Sequence, residues 1–81
     1  MSGGNTTEEA VNVRLLADAI GIWLRLQPER NRNIFLCRYY YLDSLREVAA
    51  HSGMTEAGCK TLLFRMRQNL KAHLTKEGFD V

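Results

Sequence analysis

The side chains with the most chemistry to offer lie between Thr55 and Lys71. Glu56, Ala57, Lys60, Thr61, Phe64 and Arg65 recur at steps of one, three and four, which puts them on one outer side of a helix. Lys60 and Arg65 can donate to guanine O6 and N7 or to phosphate, and Thr61 and Phe64 can press on thymine methyl groups. Small residues at Ala57 and Gly58 let the start of such a helix approach base edges closely. Arg38, Arg67 and Lys71 suit phosphates, which fix register without reading sequence. A helix beginning after Ser44 would also offer backbone amides to a phosphate. For Phe64 the competing position is the core or an interface; for Lys71 it is a solvated helix end.

Catalytic chemistry has little to rest on. His51 and His73 fall in different segments with no carboxylate at ligand spacing. There is no Ser/His/Asp or Cys/His set and no glycine-rich phosphate loop. Cys37 and Cys59 are isolated and read as small buried hydrophobes in a reducing compartment. No metal, no cofactor and no enzymatic activity is expected.

Charge is unevenly distributed. The 81-residue chain carries a net +2, yet residues 1–29 sum to −2 and residues 30–76 to +6. A basic segment on an otherwise near-neutral domain is the footprint of a polyanion binder. The length allows one small domain and excludes a large α/β enzyme. Hydrophobic residues at 46% are too many for disorder, and a single proline with six glycines favours helices over a turn-rich sandwich. No apolar run approaches the ~20 residues that span a bilayer. Residues 1–6 read as a polar tail or expression scar rather than a signal peptide, with the folded domain over 7–81, so a cytoplasmic location is expected.

Four helices are needed to position these side chains. Thr6 and Glu9 form a capping box for a first helix over about 7–26. Its apolar stripe is Val13, Leu16, Ile20, Trp23 and Gln27, while Leu15, Ile22 and Leu26 fall beside it. Wider packing against neighbouring helices is the reading preferred for these three over a partner surface. Pro28 ends that helix at Gln27 and suits the first turn of a second, over about 28–41. Ser44 and Glu47 form another capping box, for a short third helix over 45–51. Gly53 supplies the left-handed residue of a turn, and Thr55 caps a fourth helix over 56–77. Cys59, Leu63, Met66, Leu70 and Leu74 make its apolar stripe, and Gly78 stops it.

A short capped helix, a glycine turn and a longer helix have the grammar of a helix-turn-helix, whose second helix enters the major groove. Val48, Ala49, Met54, Cys59 and Leu63 form its expected inner surface. The fold class is therefore all-α, a four-helix domain with a C-terminal helix-turn-helix.

Several segments together resemble a known family. They are Gln27-Pro28-Glu29-Arg30, then Phe35-Leu36-Cys37-Arg38-Tyr39, Ser44-Leu45-Arg46-Glu47-Val48-Ala49, Met54-Thr55-Glu56, and the run from Cys59 to Arg67. This pattern is similar to region 4 of bacterial RNA polymerase sigma factors, above all the extracytoplasmic-function type, over about residues 10–78. The resemblance implies a winged-helix-like domain without a wing that binds the −35 promoter element as double-stranded DNA. It implies docking on the β flap of RNA polymerase through an apolar surface, and control by an anti-sigma factor. By motif match Lys60, Thr61, Phe64 and Arg65 would face bases, and Arg38 and Ser44 the DNA backbone. Gln27, Ser52, Gly58 and Leu62 depart from the family pattern. The last two remove DNA contacts, which implies modest affinity for this piece alone. The other sigma regions do not appear, so the chain reads as an excised C-terminal domain or a stand-alone relative. The alternatives are another helix-turn-helix regulator that dimerises on a palindrome, and an adaptor that binds only protein.

Overall fold

The chain's punctuation residues set its helix ends. The computed structural model describes residues 6–80, with side chains from residue 11 onward. The four helices are α1 (Thr6–Arg25), α2 (Glu29–Tyr39), α3 (Leu45–Ser52) and α4 (Glu56–Lys76). The described residues contain no strand. Thr6 is already helical, one residue ahead of its expected capping place. Its capping box with Glu9 lies among side chains outside the described set, as does most of the expected tail.

Pro28 stands one position earlier than expected, at the N-cap of α2, with φ −55° and ψ 146°. Its carbonyl accepts from the Arg32 amide at 2.9 Å, so the ring serves the helix start without needing an N–H. The end of α1 is closed by its own side chain, since Gln27 Nε2 donates to the Trp23 carbonyl at 3.1 Å. Helix α2 stops at Tyr39, two residues before the expected end. The reason is Leu42, which adopts a left-handed φ of 60°. The Asp43 amide donates back to the Cys37 carbonyl at 2.9 Å, and Arg38 Nη1 donates to the Asp43 carbonyl at 3.1 Å. These bonds hold a leucine where glycine is usual.

The third and fourth helices start and stop as the residues dictate. The Ser44 hydroxyl accepts from the Glu47 amide, and the Glu47 carboxylate accepts from the Ser44 amide at 2.9 Å. Gly53 has φ 65° and ψ 31°. The Thr55 hydroxyl accepts from the Gly58 amide at 3.0 Å. Gly78, with φ 94°, follows α4.

Helices α1, α2 and α3 all pack on α4, and α2 also packs on α3. The core comprises Trp23, Ile34, Phe35, Val48, Ala49, Cys59, Leu63 and Met66, with Met54, Leu62 and Leu70 partly buried against it. The expected inner surface of the α3–α4 pair is thus assembled. The expected stripe of α1 is only half realised. Of that stripe Trp23 is buried and Leu16, Ile20 and Gln27 are half-buried, whereas Val13 is 66% exposed. Leu15, Ile22 and Leu26 are exposed as well, which corrects the expectation that they widen the packing. Periodicity marks a face, but no other described element covers this one. Tyr41, two residues beyond the end of α2, is exposed as well. No helix among the described residues is long and apolar enough to cross a membrane.

Candidate nucleic-acid interface

Helix α4 is anchored along one edge by Cys59, Leu63, Met66 and Leu74, all buried. Its other edge is open. Glu56, Ala57, Lys60, Thr61 and Arg65 are all exposed, as are Arg67 and Lys71. Phe64 is 53% exposed, so it belongs to the surface and not to the core. Its ring lies 5.9 Å from the Arg67 guanidinium carbon, a distance at which the π-face attracts the cation.

The open edge divides into two flanks. At about 100° per residue, Lys60 and Arg67 project within about 20° of one another, whereas Lys60 and Arg65 are about 140° apart. Thr61, Ala57 and Phe64 lie between. On the first flank, Lys60 and Arg67 line a cleft of about 230 Å³ with Arg38, Tyr39, Leu45 and Leu63. On the second, Arg65 and Thr61 share an open groove with Arg30, Met54, Gly58 and Leu62. The residues expected to read bases as one set therefore serve two surfaces.

The expected backbone-contacting residues differ in how they are held. Arg38 is half-buried, and its bond to the Asp43 carbonyl aims it along the α2–α3 corner. Ser44 is exposed, but its hydroxyl is committed to capping α3. Arg67 donates to the Tyr39 hydroxyl. Lys71 is exposed at the far end of the open edge, where it lines an apolar groove with Arg67, Leu70 and Leu74.

Two contributors were missed from sequence. Tyr39 lines the cleft and receives Arg67; its i, i+4 spacing from Phe35 was the available signal. Arg30 donates to the Ser52 carbonyl at 3.4 Å and joins Arg65 in the groove, a contact between distant segments with no local signature. Gly58 has a packing reason, because a Cβ there would stand 3.1 Å from the Thr55 hydroxyl that caps the helix.

The local electrostatics favour anions. The cleft and the groove are lined by cations and no acidic side chain. The Glu47 carboxyl is held below its ordinary value of 4.5, chiefly by the Ser44 amide, then by the Ser44 hydroxyl. Burial pushes the Cys59 thiol up, against the opposing pull of Arg38. Among the described residues no group of three or more His, Cys, Asp and Glu side chains could hold a metal ion. The arrangement can bind a polyanion along α4 and offers apolar contacts on α1 and at Tyr40 to Leu42. No family, curated relative or solved structure matches the chain.

Proposed function

We propose that this domain is a DNA-binding helix-turn-helix of the sigma region 4 type. In this reading α3 and α4 are the helix pair, and the open edge of α4 enters the major groove of a −35 promoter element. Ala57, Thr61 and Arg65 read base edges, while Arg38, Lys60, Arg67 and Lys71 meet the backbone. The domain is a binding module of the transcription initiation machinery and not an enzyme. One observation carries the reading: the cationic edge of α4 is exposed along its length while the opposite edge is buried. The exposed apolar side chains Val11, Leu15, Ile22 and Leu26 suit a protein partner, for which the β flap of RNA polymerase and an anti-sigma factor are the candidates.

Selection from a randomised duplex pool, followed by anisotropy with selected and scrambled duplexes over a salt series, tests this. Selected duplexes should bind more tightly, with log K falling by about 0.9 per neutralised phosphate for each unit of log salt. Absence of duplex binding at low salt would contradict it. That outcome, together with capture of a polymerase flap peptide, would favour the protein-only adaptor, a reading that the exposed α1 side chains support.

A further inference from the structure

We propose that the cleft between α2, α3 and α4 is a seat for one phosphate group, and that Tyr39 positions Arg67 over it. The proposal refines the DNA reading where the phosphate is a duplex phosphodiester, and stands without it where the phosphate belongs to a free polyphosphate.

Three cations reach this cleft from two helices: Arg38 from α2, and Lys60 and Arg67 from α4. No carboxylate lines it, and Leu45 and Leu63 give it an apolar wall. Arg38 is half-buried there, so its charge is screened less than one on an open surface. The cleft, about 230 Å³ and open to solvent on one side, has ample room for a phosphate group.

The guanidinium of Arg67 is braced before any ligand arrives. The Trp23 ring, buried in the core, meets Phe35 edge-on at 5.3 Å, and Phe35 packs on Tyr39 at 4.8 Å. This aromatic ladder carries rigidity from the core to the surface and ends in a hydroxyl that accepts from Arg67 Nη1. The Phe64 ring supports the same guanidinium from another side. Arg38 is likewise fixed by the Asp43 carbonyl. Arginine's planar fork matches a phosphate's paired oxygens, and fixing it in advance removes ordering entropy from the binding step. Lys60, expected to read a base, thereby becomes a phosphate ligand.

The test is an amide and arginine-Nε NMR titration of the full chain with inorganic pyrophosphate and, separately, with selected and scrambled duplexes. Tyr39→Phe keeps the ring and removes the hydroxyl; Lys60→Gln removes one cation from the exposed face. Pyrophosphate should shift Tyr39, Leu45 and Lys60 amides and the Arg67 Nε signal. Tyr39→Phe should weaken pyrophosphate and both duplexes alike by about 2- to 12-fold, the cost of ordering one side chain that the hydroxyl no longer holds, with the melting temperature little changed. Lys60→Gln should lower the salt slope by about one on either duplex. Pyrophosphate shifts spread evenly over all surface cations would overturn the seat. So would unchanged affinity in Tyr39→Phe. Duplex binding with a silent cleft leaves the DNA reading standing and sinks the seat; pyrophosphate in the cleft without duplex binding does the reverse.

Discussion

The two flanks of α4 carry charge of one sign and are built on different plans. On the Lys60–Arg67 flank the cations stand beside an aromatic ladder rooted at Trp23, and Arg67 is held by Tyr39 and Phe64. On the Arg65 flank Arg30 is tied to the last carbonyl of α3, and the surface is thinned by Ala57 and Gly58. A braced cation suits a ligand whose position never changes, such as a phosphate along a regular backbone. A cation beside small residues has room to approach groups that differ from one base pair to the next. Equal charge thus does not imply equal duty; what holds each charge separates the two.

The largest effect should come from breaking what both flanks share. Leu63 is 2% exposed and lies under the cleft. Leu63→Ala should cost about 2–5 kcal/mol in urea unfolding. For a chain this size, with about 4–12 kcal/mol in total, both flanks should fail together. The comparison itself is sharpened by Arg65→Ala, which should weaken a selected duplex by about 1–3 kcal/mol and a scrambled one far less. Equal losses on both duplexes would move Arg65 to phosphate duty and erase the difference between the flanks.

Smaller effects probe the support beneath. Ser44→Ala should lower stability by about 1 kcal/mol, read as a fall in melting temperature, because the α3 amides lose their cap. The acid limb of the same cap follows from Glu47, whose folded pKa is lowered. Its contribution is fully present above the ordinary value of 4.5 and is lost as pH falls through the lowered folded value. Glu47→Gln should flatten that part of a stability-versus-pH curve. Smallest of all, Phe64→Ala should change stability by less than about 0.5 kcal/mol, as expected of an exposed side chain, while weakening duplex binding.

Local rules made much of the fold legible. The Ser44 and Thr55 caps, Gly53 and the Cys59–Leu63–Met66 stripe each rest on interactions within a few residues, and each stands as the spacing indicates. The failures came where a distant element decides. Val13 and Leu15 share helical periodicity with the core residues of α1 but have no described neighbour to cover them. Leu42 defied propensity because two bonds around the corner hold it. For the candidate site, sequence identified the exposed residues of α4. It did not show their division into two flanks, since that depends on where α2 brings Tyr39 and Arg30.

The most direct test of the central claim is amide NMR mapping of the chain with a selected duplex. The expected result is shifts concentrated at Ala57, Lys60, Thr61, Phe64 and Arg65, with the buried edge at Cys59 and Met66 little changed. Shifts concentrated instead on Val11, Leu15 and Ile22 of α1 and on Leu26 just beyond it, or none at low salt, would contradict it.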